Sequence, residues 1–316
     1  MYTEDWSKHI KINRTAIAAQ LDHHFIDVRD KVTIRMYTLK PSGNLVLVNS
    51  LCDALHSFLA YYVYGEADIT KHGDMWAGLN AKGVFGHKDP STDGKFGELL
   101  LFALVESFLN CKMIAHKIRS LTNNKDQLKG GDGIFLGNYL INGKEHPAYL
   151  IGESKVTTSF GEALNEALDS LNRFTDVRLS SEFLDNELIV AQEFVKVVSA
   201  DLDELYDRLT PTTISYKNQV LVHPVLLMYK TDWFGKLETK SATPKELGDA
   251  ILNKLSGTEK IYMDKIVKKT IDYPQLQKIY LDFFILPCTS VDDFRNAMYY
   301  KIHGAPYVKP AKDDRA

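Results

Sequence analysis

The feature that most constrains this chain is the dipeptide Asn142-Gly143, which stands between two apolar runs. A type I′ hairpin turn needs two residues that tolerate positive φ, and Asn-Gly is the strongest short signal for such a turn. The runs from Gly133 to Ile141 and from Pro147 to Val156 therefore predict two antiparallel strands. With Asn142 and Gly143 at the centre of the turn, the numbers of opposed residues sum to 285, as 142 and 143 do.

This register predicts that two carboxylates oppose each other. Asp132 and Glu153 satisfy the sum, so the simplest hairpin puts both on one face, with Lys155 beside them and Ser154 on the other face. Opposed like charges, with Cβ atoms roughly 5 Å apart, are destabilising. A divalent cation would neutralise them, and Mg²⁺ takes oxygen ligands. A β-bulge would shift the pairing by one residue.

The Asp and Glu-x-Lys pattern resembles the PD-(D/E)xK nuclease core, although a bare Glu-x-Lys triplet is weakly specific. A second triplet, Glu238-Thr239-Lys240, lacks a preceding apolar strand and an upstream Gly-Asp. The alternative for the first triplet is an ordinary hairpin with a surface ion pair at Lys155, and exposed pairs contribute little. Both faces of its strand are apolar, which is typical of a covered sheet where charged residues are rarely without a role. The apolar residues are Tyr149, Leu150, Ile151 and Val156.

A third carboxylate precedes the hairpin. The segment from Gly97 to Leu121 predicts a helix whose first half is buried, because Leu99 to Val105 is apolar almost all round. Glu98 lies on its core-facing stripe, where a carboxylate is costly without a partner. The resemblance to the nuclease core implies a place for Glu98 in the metal site, because many nucleases of that fold carry a helix glutamate that faces the metal. The alternative is a first-turn glutamate that favours the helix dipole. Glu106 is a weaker candidate of the same kind.

Apolar strands alternate with helical patterns along the chain, which predicts an α/β layered core. The predicted strands are 32–39, 220–229 and 278–287, with Pro224 making its strand irregular or an edge. The predicted helices run from about 50 to 64, with Tyr62 on the apolar stripe, and over 157–174, 185–209, 247–269 and 291–303. Residues 1–30 are polar and partly helical, and 65–94 form a long connection. We expect an N-terminal α/β region over 1–90, a core with C-terminal α/β elements over 91–304, and a disordered tail over 305–316.

Composition narrows the class of protein. The 316 residues are 45% hydrophobic and 25% charged, which is ordinary for a soluble globular protein. No apolar run approaches the roughly 20 residues that span a membrane, and the N-terminus lacks a signal-peptide core. Three isolated cysteines without metal spacing predict a reducing, cytoplasmic compartment. No Walker A motif is present, and the net charge of −3 does not by itself indicate nucleic-acid binding.

Three segments together carry a more specific resemblance: GKFGELLLFALVE (94–106), KGGDGIFLG (129–137) and YLIGESKVTTSFGEAL (149–164). Between about residues 96 and 174 the chain resembles the HamA family, the nuclease subunit of the bacterial Hachiman antiphage defence system. The resemblance implies a PD-(D/E)xK restriction-endonuclease-like core, a mixed sheet flanked by helices, that cuts DNA with Mg²⁺ or Mn²⁺. It also implies a partner, a superfamily-2 helicase subunit (HamB-like) supplied by another chain. Gly131 stands where the strict motif has proline.

The resemblance also implies roles for single residues. Asp132 and Glu153 would be metal ligands, Lys155 the catalytic lysine and Glu98 the helix carboxylate. We therefore expect Asp132, Glu153, Lys155 and Glu98 to be catalytic and the metal site to comprise Asp132, Glu153, Ser154 and Glu98. The rival expectation is a nuclease-fold subunit that binds DNA or the helicase without cutting, against which the intact Asp, Glu and Lys argue. Cleavage of RNA is a remoter expectation.

Overall fold

The computed structural model describes residues 5–115, 131–175, 202–210 and 212–309. Seven strands form one mixed sheet: β1 (Leu21–Arg29), β2 (Val32–Leu39), β3 (Lys112–Ala115), β4 (Gly133–Ile141), β5 (Lys144–Thr157), β6 (Val220–Lys230) and β7 (Tyr280–Cys288). Their spatial order is β1-β2-β7-β6-β5-β4-β3. The four central strands, β2, β7, β6 and β5, pair in parallel, and antiparallel strands complete both edges. The predicted α/β class is thus confirmed as a mixed sheet flanked by helices.

The helices lie on both faces of this sheet. They are α1 (Arg14–Ala18), α2 (Asn49–Ser57), α3 (Leu59–His72), α4 (Asp74–Phe85), α5 (Lys95–Leu104), α6 (Phe160–Thr175), α7 (Leu202–Leu209), α8 (Ile214–Lys217), α9 (Trp233–Lys240), α10 (Pro244–Leu255), α11 (Glu259–Thr270) and α12 (Val291–His303). Helix α5 continues into a π-helical turn, Val105–Leu109. Across the described ranges, every helix is too short or too polar to span a bilayer.

The hairpin prediction is confirmed. Asn142 and Gly143 have φ values of 50° and 78°, as a type I′ turn requires. Strands β4 and β5 pair in the predicted register, from Ile141↔Lys144 at the turn to Gly133↔Gly152 at the far end. Turn chemistry therefore fixes the pairing of all nine residues of β4.

Two predicted elements are wrong, and the partly helical region over 1–30, which contains α1 as expected, also contains a strand. The helix from Gly97 does not continue to Leu121: Asn110 takes a left-handed conformation (φ 62°) and the short strand β3 follows. A short apolar run such as β3 cannot be told from buried helix by periodicity. Residues 21–29 form strand β1, and the expected connection over 65–94 is mostly the helical pair α3 and α4, which packs through small residues such as Ala77 and Ala81.

Other predictions fare better. The elements over 32–39, 157–174, 220–229, 278–287 and 291–303 are confirmed within a few residues, whereas the helix over 247–269 is broken at Gly257 (φ 76°) into α10 and α11. Residues 185–201 and 310–316 lie outside the described residues. The domain boundary near residue 90 stays a prediction, and strands from both sides of it share the one sheet.

Pro224 does not mark an edge, because β6 lies between β5 and β7. In the described sheet the β5–β6 ladder is instead interrupted beside Pro224, between the pairs Leu150↔Val222 and Glu153↔Val225. Proline has no N–H to donate to the ladder. The buried His223 side chain reaches across, with Nδ1 2.9 Å from the carbonyl oxygen of Ile151.

Candidate active site

Two of the predicted carboxylates are buried at the same end of the hairpin. Asp132 is 8% exposed and immediately precedes β4, and Glu153 is 3% exposed within β5. The regular ladder ends at Gly133↔Gly152, and the Asp132 amide donates to the carbonyl of Gly152 at 2.8 Å. This one-residue shift is the pattern of a β-bulge. The two carboxylates are therefore near neighbours along the hairpin but not the directly opposed pair that the simplest register predicts.

The shift directs the Asp132 carboxylate to Ser154. Asp132 Oδ2 accepts hydrogen bonds from the Ser154 amide and hydroxyl, each at 2.7 Å. Ser154 was expected to face away from the carboxylates, so the structure brings it into the site through Asp132. The residue before Asp132 must be small, because a Cβ on Gly131 would lie 2.4 Å from Cγ2 of Ile151. That clash accounts for glycine where the strict nuclease motif has proline.

Strand alternation separates the site residues between two faces of β5. A Cβ on Gly97 of α5 would lie 3.1 Å from Ser154 Oγ and 3.0 Å from Val156 Cγ2, so Ser154 faces α5. Glu153 and Lys155 alternate with Ser154 and extend to the opposite face, where α6 packs. Because residue 97 is a glycine, α5 can approach β5 closely enough to pack against Ser154 and Val156.

Glu153 and Lys155 form an ion pair on their face. Lys155 Nζ donates to Glu153 Oε1 at 2.6 Å, and the lysine side chain is 23% exposed while the glutamate is buried. An ammonium held this close balances the charge of a carboxylate that burial would otherwise penalise. The structure thus brings together the second half of the predicted catalytic set.

Glu98 lies near Asp132, and both carboxylates act on the buried phenol of Tyr62, which the sequence predicts to lie on an apolar helix stripe. The Tyr62 hydroxyl donates to Glu98 Oε2 at 3.3 Å, and the ring of Tyr62 packs beside Phe102. Burial, followed by the charges of Glu98 and Asp132, raises the pKa of the Tyr62 phenol well above its ordinary value. The phenol therefore stays protonated and keeps a proton to donate. A buried tyrosine on an apolar helix generally needs a polar partner, and that was the available sequence signal.

Glu106, the weaker candidate, has a different environment. It is fully buried, and Oε1 accepts from Lys112 Nζ at 2.8 Å and from the Met113 amide at 3.0 Å. Burial raises the pKa of its carboxyl despite these two donors. These contacts tie the start of the π-helical turn to β3, so Glu106 serves the local fold.

A cavity of about 160 Å³ lies between the start of α5, the end of β5 and α12. Ser154 and Lys155 line it, together with Arg295 of α12. Arg295 Nη2 donates to the carbonyl oxygen of Val156 at 2.7 Å. Sequence analysis did not single out Arg295, because 140 residues separate it from Lys155 and no local pattern marks it.

The donor atoms fit a hard divalent cation in type. Carboxylate oxygens are the ligands that Mg²⁺ prefers, and Mg²⁺ commonly uses one or two of them, with water and substrate phosphate in its other positions. Asp132 and Glu153 supply two buried carboxylates on adjacent strands. Among the residues that the structure describes, no group of three or more His, Cys, Asp or Glu side chains is arranged to hold a metal ion. A cation here would therefore depend on water and substrate oxygens.

The fold and the site define an α/β protein with buried acidic residues and a lysine at the end of a central mixed sheet. A family model described as HamA matches residues 15–302, and the chain belongs to the HamA family. Membership in this family indicates a role in Hachiman antiphage defence. A search of curated proteins finds no match.

Proposed function

We propose that this chain is a metal-dependent deoxyribonuclease with a PD-(D/E)xK core, acting as the effector of a defence complex with a superfamily-2 helicase subunit. One observation carries the proposal: Glu153 is buried and paired with Lys155 on β5, beside the buried Asp132 that precedes β4. Two buried carboxylates and an ammonium within one hairpin are costly for folding alone. They match the chemistry of phosphodiester hydrolysis.

Each residue has a part in this proposal. The Asp132 carboxylate reaches the edge of β5 at the Ser154 amide, and there Asp132 and Glu153 would hold Mg²⁺ or Mn²⁺. Glu98 and Ser154 would support the cation from the α5 face. When bound, the cation polarises a phosphoryl oxygen and lowers the pKa of coordinated water. Ser154 orients the Asp132 carboxylate through its amide and hydroxyl, and Tyr62 does the same for Glu98.

Lys155 supplies a fixed positive charge. Its ammonium contacts Glu153, and Lys155 is one of the residues that line the cavity, so the charge lies close to where a phosphate would bind. A positioned cation stabilises the negative charge that develops on the phosphoryl oxygens in the transition state. Holding that charge in a half-buried position increases its effect, because the local dielectric is lower than in water.

The experiment is a plasmid cleavage assay with Mg²⁺, performed with and without the helicase subunit and ATP. We expect nicking or cutting by the wild-type complex and its loss on addition of EDTA. The matched control is Glu238→Gln, in the other Glu-x-Lys triplet, whose carboxylate accepts from the Val46 amide at 2.7 Å. Glu238→Gln should cut normally and Glu153→Gln should not.

The alternative is a catalytically inactive subunit that binds DNA or the helicase, and it predicts no cleavage in the same assay. It requires DNA or helicase binding by the wild-type chain with intact plasmid at every metal concentration. Cleavage that is equal in wild-type and Glu153→Gln protein would contradict the proposed site while leaving family membership untouched.

A further inference from the structure

The cavity beside Lys155 has the size and lining of a small anion site. Its volume of about 160 Å³ corresponds to roughly five water molecules at about 30 Å³ each, which is room for one phosphate group with some solvent. Two basic residues line it, Lys155 of β5 and Arg295 of α12. Two residues with hydroxyl groups, Ser91 and Thr92, also line the cavity from the segment before α5.

Arg295 is held in place by the strand that carries Lys155. Its Nη2 donates to the carbonyl of Val156, the residue that follows Lys155. Its Nη1 lies 3.5 Å from Asp292, whose side chain is 71% exposed, so that pair is weak. A guanidinium has five N–H donors, and these two contacts leave several for a ligand. The Arg295 guanidinium is therefore anchored to the residue of β5 that follows Lys155.

The acidic residues at the cavity do not cancel this charge. Asp93 is already engaged by Lys95, with its carboxylate 3.3 Å from Nζ and accepting from the Lys95 amide at 3.2 Å. Glu166 lines the cavity from an exposed position on α6, where water screens it. The part-buried guanidinium of Arg295 thus keeps its charge for the cavity, while the ammonium of Lys155 is paired with Glu153 at 2.6 Å. Arginine binds phosphate oxygens with two parallel hydrogen bonds, which a point charge does not.

We propose that Arg295 binds a backbone phosphate of the nucleic-acid substrate in this cavity and positions the strand against Lys155. The inference rests on the proposed nuclease function and deepens it, because it assigns a substrate-binding residue contributed by α12. Arg295 contacts substrate here and takes no part in proton transfer.

The test compares Arg295→Ala and Arg295→Lys with a control from the same helix, Lys301→Ala. Lys301 also forms an ion pair, 2.5 Å from Asp53. DNA binding is measured by the anisotropy of a labelled duplex without Mg²⁺, over a range of salt concentrations, for the chain alone and in complex with the helicase. We expect Arg295→Ala to raise the Kd roughly tenfold or more, since hydrogen bonds between charged groups are strong. Arg295→Lys should be intermediate, and Lys301→Ala unchanged.

The salt dependence separates binding from a merely structural role. Losing one phosphate contact should reduce the slope of log K against log salt concentration by about one. A lower melting temperature with unchanged Kd and salt slope in Arg295→Ala would overturn the proposal. In cleavage assays the KM should rise more than kcat falls, whereas a pure kcat effect would also contradict it.

The outcome for Arg295 is independent of the outcome for catalysis. Wild-type protein that binds the duplex but never cuts it refutes the proposed nuclease, while the Arg295 variants still report on phosphate binding. Wild-type cutting combined with wild-type Kd in Arg295→Ala refutes the Arg295 assignment alone. A wild-type complex that neither binds nor cuts DNA refutes both.

Discussion

Asp282 and Asp132 are two buried aspartates of the same sheet whose carboxylates accept hydrogen bonds from different kinds of donor. Asp282, on β7, is fully buried and receives a bidentate contact from Arg35, with Nε–Oδ1 at 2.7 Å and Nη2–Oδ2 at 2.9 Å. Tyr139 adds a hydrogen bond to Oδ2 at 2.8 Å. Burial acts to lower the pKa of Arg35, yet the Asp282 charge raises it overall, so the guanidinium stays charged. We refer to Arg35, Tyr139 and Asp282 as the Asp282 cluster.

Asp132 is bound by donors of another kind. The two contacts to its Oδ2 come from the amide and hydroxyl of Ser154, which are both neutral. Nearby Glu98 likewise accepts from a neutral phenol, that of Tyr62. These donors orient the carboxylates without supplying a positive charge of their own.

The difference indicates that the charge of the donor decides whether a buried carboxylate stabilises the fold or can bind a cation. An arginine cancels the charge of Asp282, so that carboxylate has little attraction left for a cation. The neutral donors of Ser154 fix the position of Asp132 and do not themselves cancel its charge. The Asp282 cluster thus serves as an internal control for every experiment on the candidate site.

The largest expected effect is on cleavage. Glu153→Ala and Lys155→Ala should each lower the rate by roughly 10³-fold, because each removes charge stabilisation at the reacting phosphate. Circular dichroism should remain native, since the site is at the end of the hairpin and not in its centre. Wild-type cutting rates in either variant would contradict the assignment.

Asp282→Asn should have the opposite effect: a loss of stability with little change in the cleavage rate. Removing one member of a buried ion pair strands the guanidinium of Arg35, and such losses cost about 3–5 kcal/mol of unfolding free energy. Urea denaturation should show this loss, while the cleavage rate per folded molecule stays near that of wild type. A selective loss of cleavage at full stability would break the proposed division between the two sites.

A pH dependence of stability should come from His223, a third buried ionisable residue. Burial lowers the pKa of its imidazole to about 4, against about 6.5 when unfolded. The unfolded chain therefore binds more protons between these values. This contribution is complete above pH 6.5 and is lost as the pH falls toward 4, by up to about 3 kcal/mol. His223→Gln should show a flatter stability profile than wild type in urea titrations across that window.

Metal binding should stabilise the site and leave the Asp282 cluster unaffected. A cation that binds the folded chain at a hundred times its Kd adds about 2.7 kcal/mol. Calorimetry should therefore show a rise in Tm with millimolar Mn²⁺ for wild type and for Asp282→Asn. Asp132→Asn should lose most of that rise, and a melting curve that ignores Mn²⁺ in wild-type protein would count against the metal.

The smallest effect is expected for Tyr62→Phe, which keeps the packed ring and removes one hydrogen bond to Glu98. The loss is about 1.5 kcal/mol, or roughly tenfold, in Mn²⁺ affinity. Tyr273→Phe is the matched control, because its hydroxyl donates to Asp169 at 2.6 Å on the surface. Titration calorimetry should find weaker Mn²⁺ binding in Tyr62→Phe alone. Equal Mn²⁺ affinities in the two variants would show that Tyr62 has no role in metal binding.

The sequence predicts the hairpin well because its register depends on two adjacent turn residues. It predicts the buried carboxylates because charge between apolar strands is rare. It does not predict the bulge at Asp132, which depends on the fit of Gly131 against Ile151. Tyr62 and Arg295 escape prediction for a different reason: their partners lie 36 and 139 residues away, and only the assembled layers bring them together.

The parallel pairing of β2 with β7 joins residues 249 positions apart at Val32↔Leu281. A ribosome adds roughly 5–20 residues per second, so β2 leaves it about 12 to 50 s before its partner strand. During that interval the N-terminal hairpin has one edge open, which is a hazard for aggregation. Arg295, on the helix after β7, is made later still. A nascent chain therefore completes its proposed phosphate cavity only after every strand of the described sheet has been synthesised.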